Sequence, residues 1–267
     1  MAVTTEQIAD YLMNVRRSRV TVGWWPKALT PDGEAAAYAG QDAYLKRIIP
    51  EDGDVAGYKI GLTAPAIWEQ TGLRSPAYGP IRRNRVFERA VTLKAAQHTR
   101  LGLELEIILT VNADVPPPPA GKPYDKDSIT PYIASARAGF ELIEDRGADY
   151  SRLSALHLIM DVGWNWGSLL APETPDWHKL DLASLKGTVS FDGEVVASGT
   201  SGDVMGNCVN SLAWVANKLG EHGKQLRKGM IVSTGSMVAC QFVPPGSTAV
   251  GTIEGLGEVT LKYELPR

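Results

Sequence analysis

A chain of 267 residues and 28.8 kDa is long enough to bury a sizeable core and has room for one large domain or two small ones. With 44% hydrophobic and 21% charged residues, 27 glycines and 17 prolines, the composition is that of a turn-rich globular protein and excludes a collagenous or low-complexity chain. The formal net charge of −3 and the short basic clusters Arg16-Arg17 and Arg82-Arg83 offer no concentrated basic face for a nucleic-acid backbone.

At the N-terminus, Glu6 and Asp10 come early and Arg16-Arg17 follow the apolar positions, the wrong order for a signal peptide. No window approaches the roughly 18 apolar residues of a membrane span, so a cytoplasmic protein is expected. Thr4 with Gln7 forms a capping-box pattern ahead of Ile8, Leu12 and Val15, which recur at helical spacing. A second helix is expected from Glu34 to Ile49, stopped by Pro50. Tyr58 to Leu62 then reads as a short strand.

Leu101 to Val111 is the clearest strand, with Leu103, Leu105, Ile107, Leu109 and Val111 on one face by strict alternation. The stretch Val115 to Asp127, with Pro116 to Pro119, reads as a stiff surface connection, a lid over a site being the alternative. Thr130-Pro131 carries the signals of a helix start that Gly139 would close, and Phe140 to Asp145 would be the next strand. Beyond Leu180 come strand-like segments with an Asp192-Gly193 turn, one helix near Ser211 to Leu219, and a glycine-rich strand-and-turn tail to Tyr263. Cys208 and Cys240 are too few for a disulfide framework and lack zinc-site spacing, so free thiols are expected.

Glu104 and Glu106 lie two apart on the clearest strand and so share one face, converging two carboxylates among apolar neighbours. The alternative is an edge strand with two surface glutamates. Lys59 sits between Tyr58 and Ile60; such a lysine either snorkels to water or, if partly buried, acquires the lowered pKa that general-base work needs. The four histidines, His98, His157, His178 and His222, lack the i, i+4 pairing of a zinc helix. Nucleophile-elbow, phosphate-loop and dinucleotide motifs are absent from the sequence.

The segments Gly57-Tyr58-Lys59-Ile60-Gly61-Leu62-Thr63, Leu103-Glu104-Leu105-Glu106, Phe140-Glu141-Leu142-Ile143-Glu144-Asp145-Arg146, Val204 to Asn207, Leu212 to Leu219 and Thr234-Gly235-Ser236 together resemble the 2-keto-4-pentenoate hydratase and 4-oxalocrotonate decarboxylase family of the fumarylacetoacetate hydrolase superfamily. The resemblance covers about nine-tenths of the chain in unchanged order and is weakest before residue 35. It implies an α+β fold with a mixed β-roll core, divided as a helical N-terminal part over residues 1–75, which contributes Lys59 to the site, and a catalytic part over 76–267. It also implies a homo-oligomer.

By the same resemblance, Glu104, Glu106 and Glu141 form a metal triad and Lys59 is the active-site lysine. Three carboxylates without thiolate or imidazole suit Mg²⁺ or Mn²⁺. Thr234-Gly235-Ser236 matches a substrate-contacting turn, the plain alternative being an ordinary turn, and Asp161 matches a family position beside the pocket. Two departures stand out. Pro76-Ala77-Tyr78-Gly79 lacks the acidic residue that hydratases usually carry where Ala77 stands, and Val162-Gly163-Trp164-Asn165-Trp166-Gly167 replaces a serine-containing stretch. Trp164 and Trp166 either narrow the pocket wall or pack in the core or at an interface. The implied function is metal-dependent hydration of a 2-hydroxy-2,4-dienoate from aromatic ring cleavage, with 4-oxalocrotonate-type decarboxylation as the runner-up. Cleavage of a C–C bond by hydrolysis, or a catalytically silent subunit that partners a companion enzyme, are the remaining alternatives.

Overall fold

The computed structural model describes residues 3–19, 21–22, 25–64, 71–73, 75–152 and 154–266. Helix α1 (Thr5–Ser18) begins as its capping box requires: the Thr4 hydroxyl accepts from Gln7 N–H, and the Gln7 side chain accepts from Thr4 N–H. Its buried residues Ile8, Leu12 and Val15 lie on the side packed against α2 (Glu34–Asp52). α2 runs two residues past Pro50, where the sequence reading ends it. In the last turn the fixed proline φ is helical and only its own N–H is missing. The stop is Gly53, at φ +77°, whose N–H bonds Ile49 O.

The strands form two sheets. The larger orders β2 (Ala77–Arg82), β1 (Val55–Gly61), β10 (Ile231–Ser236), β5 (Leu101–Val111), β6 (Ile133–Glu144), β7 (Asn165–Leu170) and β3 (Val86–Glu88), with β11 (Gln241–Phe242) beside β5. The smaller orders β4 (Ala90–Lys94), β13 (Gly257–Glu264), β12 (Thr248–Ile253), β8 (Lys186–Phe191) and β9 (Glu194–Thr200). Parallel pairs, such as β1 with β10, mix with antiparallel ones, giving the expected α+β fold. Asp192 and Gly193, both at positive φ, close the β8–β9 hairpin as its two-residue turn demands.

β5 alternates as read, yet both of its faces are buried. Leu105 on β5 and Phe140 on β6 press into the smaller sheet at two glycines. A Cβ on Gly187 would lie 2.8 Å from Leu105, and one on Gly251 2.5 Å from Phe140. The opposite face of the β5–β6 pair carries the glutamates, so the core on one side fixes the site on the other.

The helix expected from Thr130 to Gly139 is instead a strand. Only α3 (Lys126–Ile129) and a 3-10 turn over Thr130–Tyr132 precede β6, which starts at Ile133. Ala134, Ala136 and Ala138 favour helix locally, but pairing with β5 along Ile133 to Glu144 outweighs that preference. The proline stretch is a surface connection tied to α5 (Cys208–Glu221): the backbone N–H and C=O of Tyr124 both bond the Asn217 side chain. A further short helix, α4 (Ala155–Met160), packs on α2. Cys208 and Cys240 are free thiols. No described helix is long and apolar enough to cross a membrane.

Candidate metal centre

Sheet register builds the acidic cluster. Glu104 on β5 stands directly opposite Glu141 on β6, and Glu106 follows on the same face. One carboxylate oxygen from each of the three lies within 4.8 Å of the others. Glu106 and Glu141 are fully buried, while Glu104 is partly exposed. β10 braces Glu106, whose Oε2 accepts from Ser233 Oγ at 2.6 Å and Gly235 N–H at 2.8 Å. β7 braces Glu141, whose Oε1 accepts from Asn165 Nδ2 at 2.8 Å. β1 brings Lys59 alongside Ser233, and its Nζ lies 3.2 Å from Glu141 Oε2.

Burial first, and the neighbouring Glu141 next, push the Glu104 carboxyl up to about 7. Burial, Glu141 and Glu104 push Glu106 well above the usual carboxylate range. Burial alone would lower the Lys59 ammonium, as the sequence reading expects of a buried lysine, but the three carboxylates reverse that and raise it. Glu106 Oε1 is buried with no hydrogen-bond partner among the described residues. Three converging oxygen donors that repel one another, one of them orphaned, fit a hard divalent cation of the Mg²⁺ or Mn²⁺ kind.

Glu104 and Lys59 open onto a cavity of about 470 Å³, within the usual range for a small-molecule site. Its walls are largely apolar, with Ile60, Leu62, Ile143, Leu158 and Val238 contributing, and Ala77 and Trp164 line it too. Val162, Gly163 and Trp164 form an unbroken run of positive φ, at 48°, 65° and 60°. Glycine suits the middle, because φ +65° favours it and a Cβ there would sit 3.1 Å from Lys59 Cε. This turn lies against the lysine side chain and places Trp164 on the cavity wall.

The other singled-out residues fall differently. Of the Thr234-Gly235-Ser236 segment only Ser236 lines the cavity, and its hydroxyl donates to Val238 O. Thr234 is buried and donates to Ile107 O, and Gly235 serves Glu106. Asp161 is buried in an ion pair with Arg146 and lies outside the cavity lining. Trp166 stacks on Phe87 under the Arg85 guanidinium. Sequence reasoning missed Asn165 and Ser233, which orient two of the glutamates, and Tyr150 and Asp203, which line the cavity. Ser233 adjoins the Thr234 to Ser236 segment and Asn165 lies within the departing Val162 to Gly167 stretch, whereas Tyr150 and Asp203 stand in segments with no distinguishing pattern.

A scan against protein-family models gives no match. The chain is 27% identical over 262 residues, 97% of each sequence, to a 2-keto-4-pentenoate hydratase of Paraburkholderia phymatum. Over 234 residues, 87% of each sequence, it is 29% identical to a 2-keto-4-pentenoate hydratase of Burkholderia vietnamiensis. Its fold superposes with a TM-score of 0.88 on 4-oxalocrotonate decarboxylase from Pseudomonas putida G7, complexed with magnesium and adipate, at 22% identity and 97% coverage of both chains. The sequence resemblance is borne out: this chain is similar in sequence to curated 2-keto-4-pentenoate hydratases and shares the fold of 4-oxalocrotonate decarboxylase.

Proposed function

We propose that the chain is a divalent-metal-dependent lyase that hydrates a small 2-hydroxy-2,4-dienoate through its 2-oxo tautomer, in the degradation of aromatic ring-cleavage products. The observation that carries this reading is the juxtaposition of Glu104, Glu106 and Glu141, within 4.8 Å of one another, with Lys59 at the base of an apolar-walled cavity. The three glutamates hold Mg²⁺ or Mn²⁺. When bound, the cation supplies a Lewis acid for a carboxylate and its adjacent 2-oxo group.

Lys59, kept as an ammonium by its carboxylate neighbours, delivers the proton that converts the dienol to the conjugated ketone as the 2-hydroxyl loses its own. Apolar walls take the hydrocarbon end of the substrate and exclude bulk water. The hydratase names of curated relatives support this assignment. Ala77 on the wall favours a second reading, decarboxylation of a 2-oxo-enedioate, because it offers no carboxylate to deprotonate water. We further propose a cytoplasmic homo-oligomer, able to associate with a companion enzyme.

Hydration of 2-hydroxypenta-2,4-dienoate and CO₂ release from 2-oxohex-3-enedioate, each assayed with Mg²⁺ and after chelation, test both readings. Metal-dependent hydration is expected, slow in the wild type and faster in Ala77→Asp by up to the about 10²–10⁴ of a well-placed acid or base. CO₂ release without hydration selects the decarboxylase. Failure of both reactions in metal-loaded protein overturns the assignment.

A further inference from the structure

A second cavity, of about 240 Å³, lies on the other side of the Asp161 to Trp164 turn. Trp164 lines both cavities. Five arginines, Arg16, Arg19, Arg82, Arg85 and Arg146, line this one. Three of them converge on a single carboxylate: Asp52 takes Arg16 at 2.7 Å, Arg85 at 2.9 Å and Arg82 at 3.5 Å. Arg146 is neutralised by Asp161, and the Glu144 carboxylate is occupied by backbone N–H groups of Thr99, Arg100 and Arg146. Glu51, at 3.7 Å from Arg16, is more than half exposed and screened by water.

The region therefore carries positive charge in excess of its acids. Arg82 is 1% exposed, and burial lowers it only to about 10, so it stays charged at neutral pH. Arg82 is itself satisfied by Asp52, Asn165 and the carbonyls of Pro80 and Trp166, so the surplus rests on the cavity-lining Arg16, Arg19 and Arg85, where an anion would complete it. Guanidinium forks match the planar oxygen pairs of carboxylates and the oxygens of phosphate.

We infer that this arginine-lined cavity is a second binding site, for a small dianion bearing carboxylate or phosphate groups. Its occupant is distinct from the substrate, because the Asp161 to Trp164 turn stands between the two cavities. Trp164 and Trp166, both in the lining, report on it directly.

The test titrates the purified full chain with inorganic phosphate and, separately, with succinate, following tryptophan fluorescence and calorimetry at constant ionic strength. Saturable binding of either probe is expected, weakened at least tenfold in Arg16→Gln and in Arg85→Gln, two part-exposed positions at the cavity. Phosphate alone, or succinate alone, identifies which source the site takes. Loss of binding in a variant counts only if its thermal transition and metal binding match the wild type. Absence of saturation with both probes, or affinity unchanged in both variants, overturns the inference.

Discussion

Two charge clusters lie against the larger sheet, and they are electrical opposites. Around Glu141 three carboxylates face one lysine; around Asp52 three arginines face one carboxylate. Asn165 joins them, accepting from Arg82 Nη1 through Oδ1 at 2.7 Å and donating to Glu141 Oε1 through Nδ2 at 2.8 Å. The difference shows how one fold holds uncompensated charge of both signs. Each cluster borders a cavity, and each is short of the same thing, a counter-ion of opposite sign.

The strongest way to break the contrast is to remove one acid. Glu106→Gln is expected to abolish tight Mg²⁺ or Mn²⁺ binding in calorimetry, a loss beyond the about 10–100-fold typical of outer-sphere partners. Wild-type affinity in that variant would remove Glu106 from the ligand set. Lys59→Met leaves the acids intact, so cation affinity should persist while turnover falls by about 10²–10⁴. Retention of the wild-type rate would return the lysine to a structural role.

Asn165→Ala cuts the joint between the clusters. Loss of the Glu141 hydrogen bond should weaken cation binding by about 10–100-fold, and an unchanged isotherm would show that the carboxylate needs no such brace. Gly163→Ala sharpens the picture of the turn behind Lys59: an added methyl 3.1 Å from Lys59 Cε, at φ +65°, should cost about 1 kcal/mol of stability and lower kcat with cation affinity unchanged. A variant with wild-type kcat would show that the lysine tolerates the displacement.

The smallest effect is expected from His98, which packs edge-on against Trp166 at the border of the arginine region. Burial, aided by Arg85 and Arg19, lowers its pKa to about 4 despite a bond to Lys94 O. The unfolded imidazole takes its proton first, near 6.5. The stability this residue contributes is therefore complete above pH 6.5 and is lost as pH falls toward 4. Melting curves at pH 7.5 and pH 5 should converge by a few degrees, roughly, in His98→Phe relative to the wild type. Equal acid sensitivity in both proteins would place the titration elsewhere.

Much of the acidic cluster was legible before the structure. Strict alternation in β5 puts Glu104 and Glu106 on one face, and that needs only the period of a strand. Glu141 and Lys59 required the family resemblance, because their approach depends on register between strands far apart in sequence. The arginine cluster left no local trace: Arg16, Arg82, Arg85 and Asp52 come from α1, β2, the turn after it and α2, and only packing unites them. β6 misled for a related reason. Its alanines carry a helical preference, and the pairing that overrides it lies in β5, not in β6 itself.

The parallel pairing of β1 with β10 sets residue 59 beside residue 233, with most of the polypeptide between them. Closing so large a loop must be offset by contacts made elsewhere first. On the ribosome, the glutamates of β5 and β6 emerge well before the strand that supplies Ser233 and Gly235 to hold Glu106. Vectorial synthesis thus delays the finished acidic cluster until β10 has been made, so a truncated product ending before β10 would align its acids across β5 and β6 without the bonds that hold Glu106.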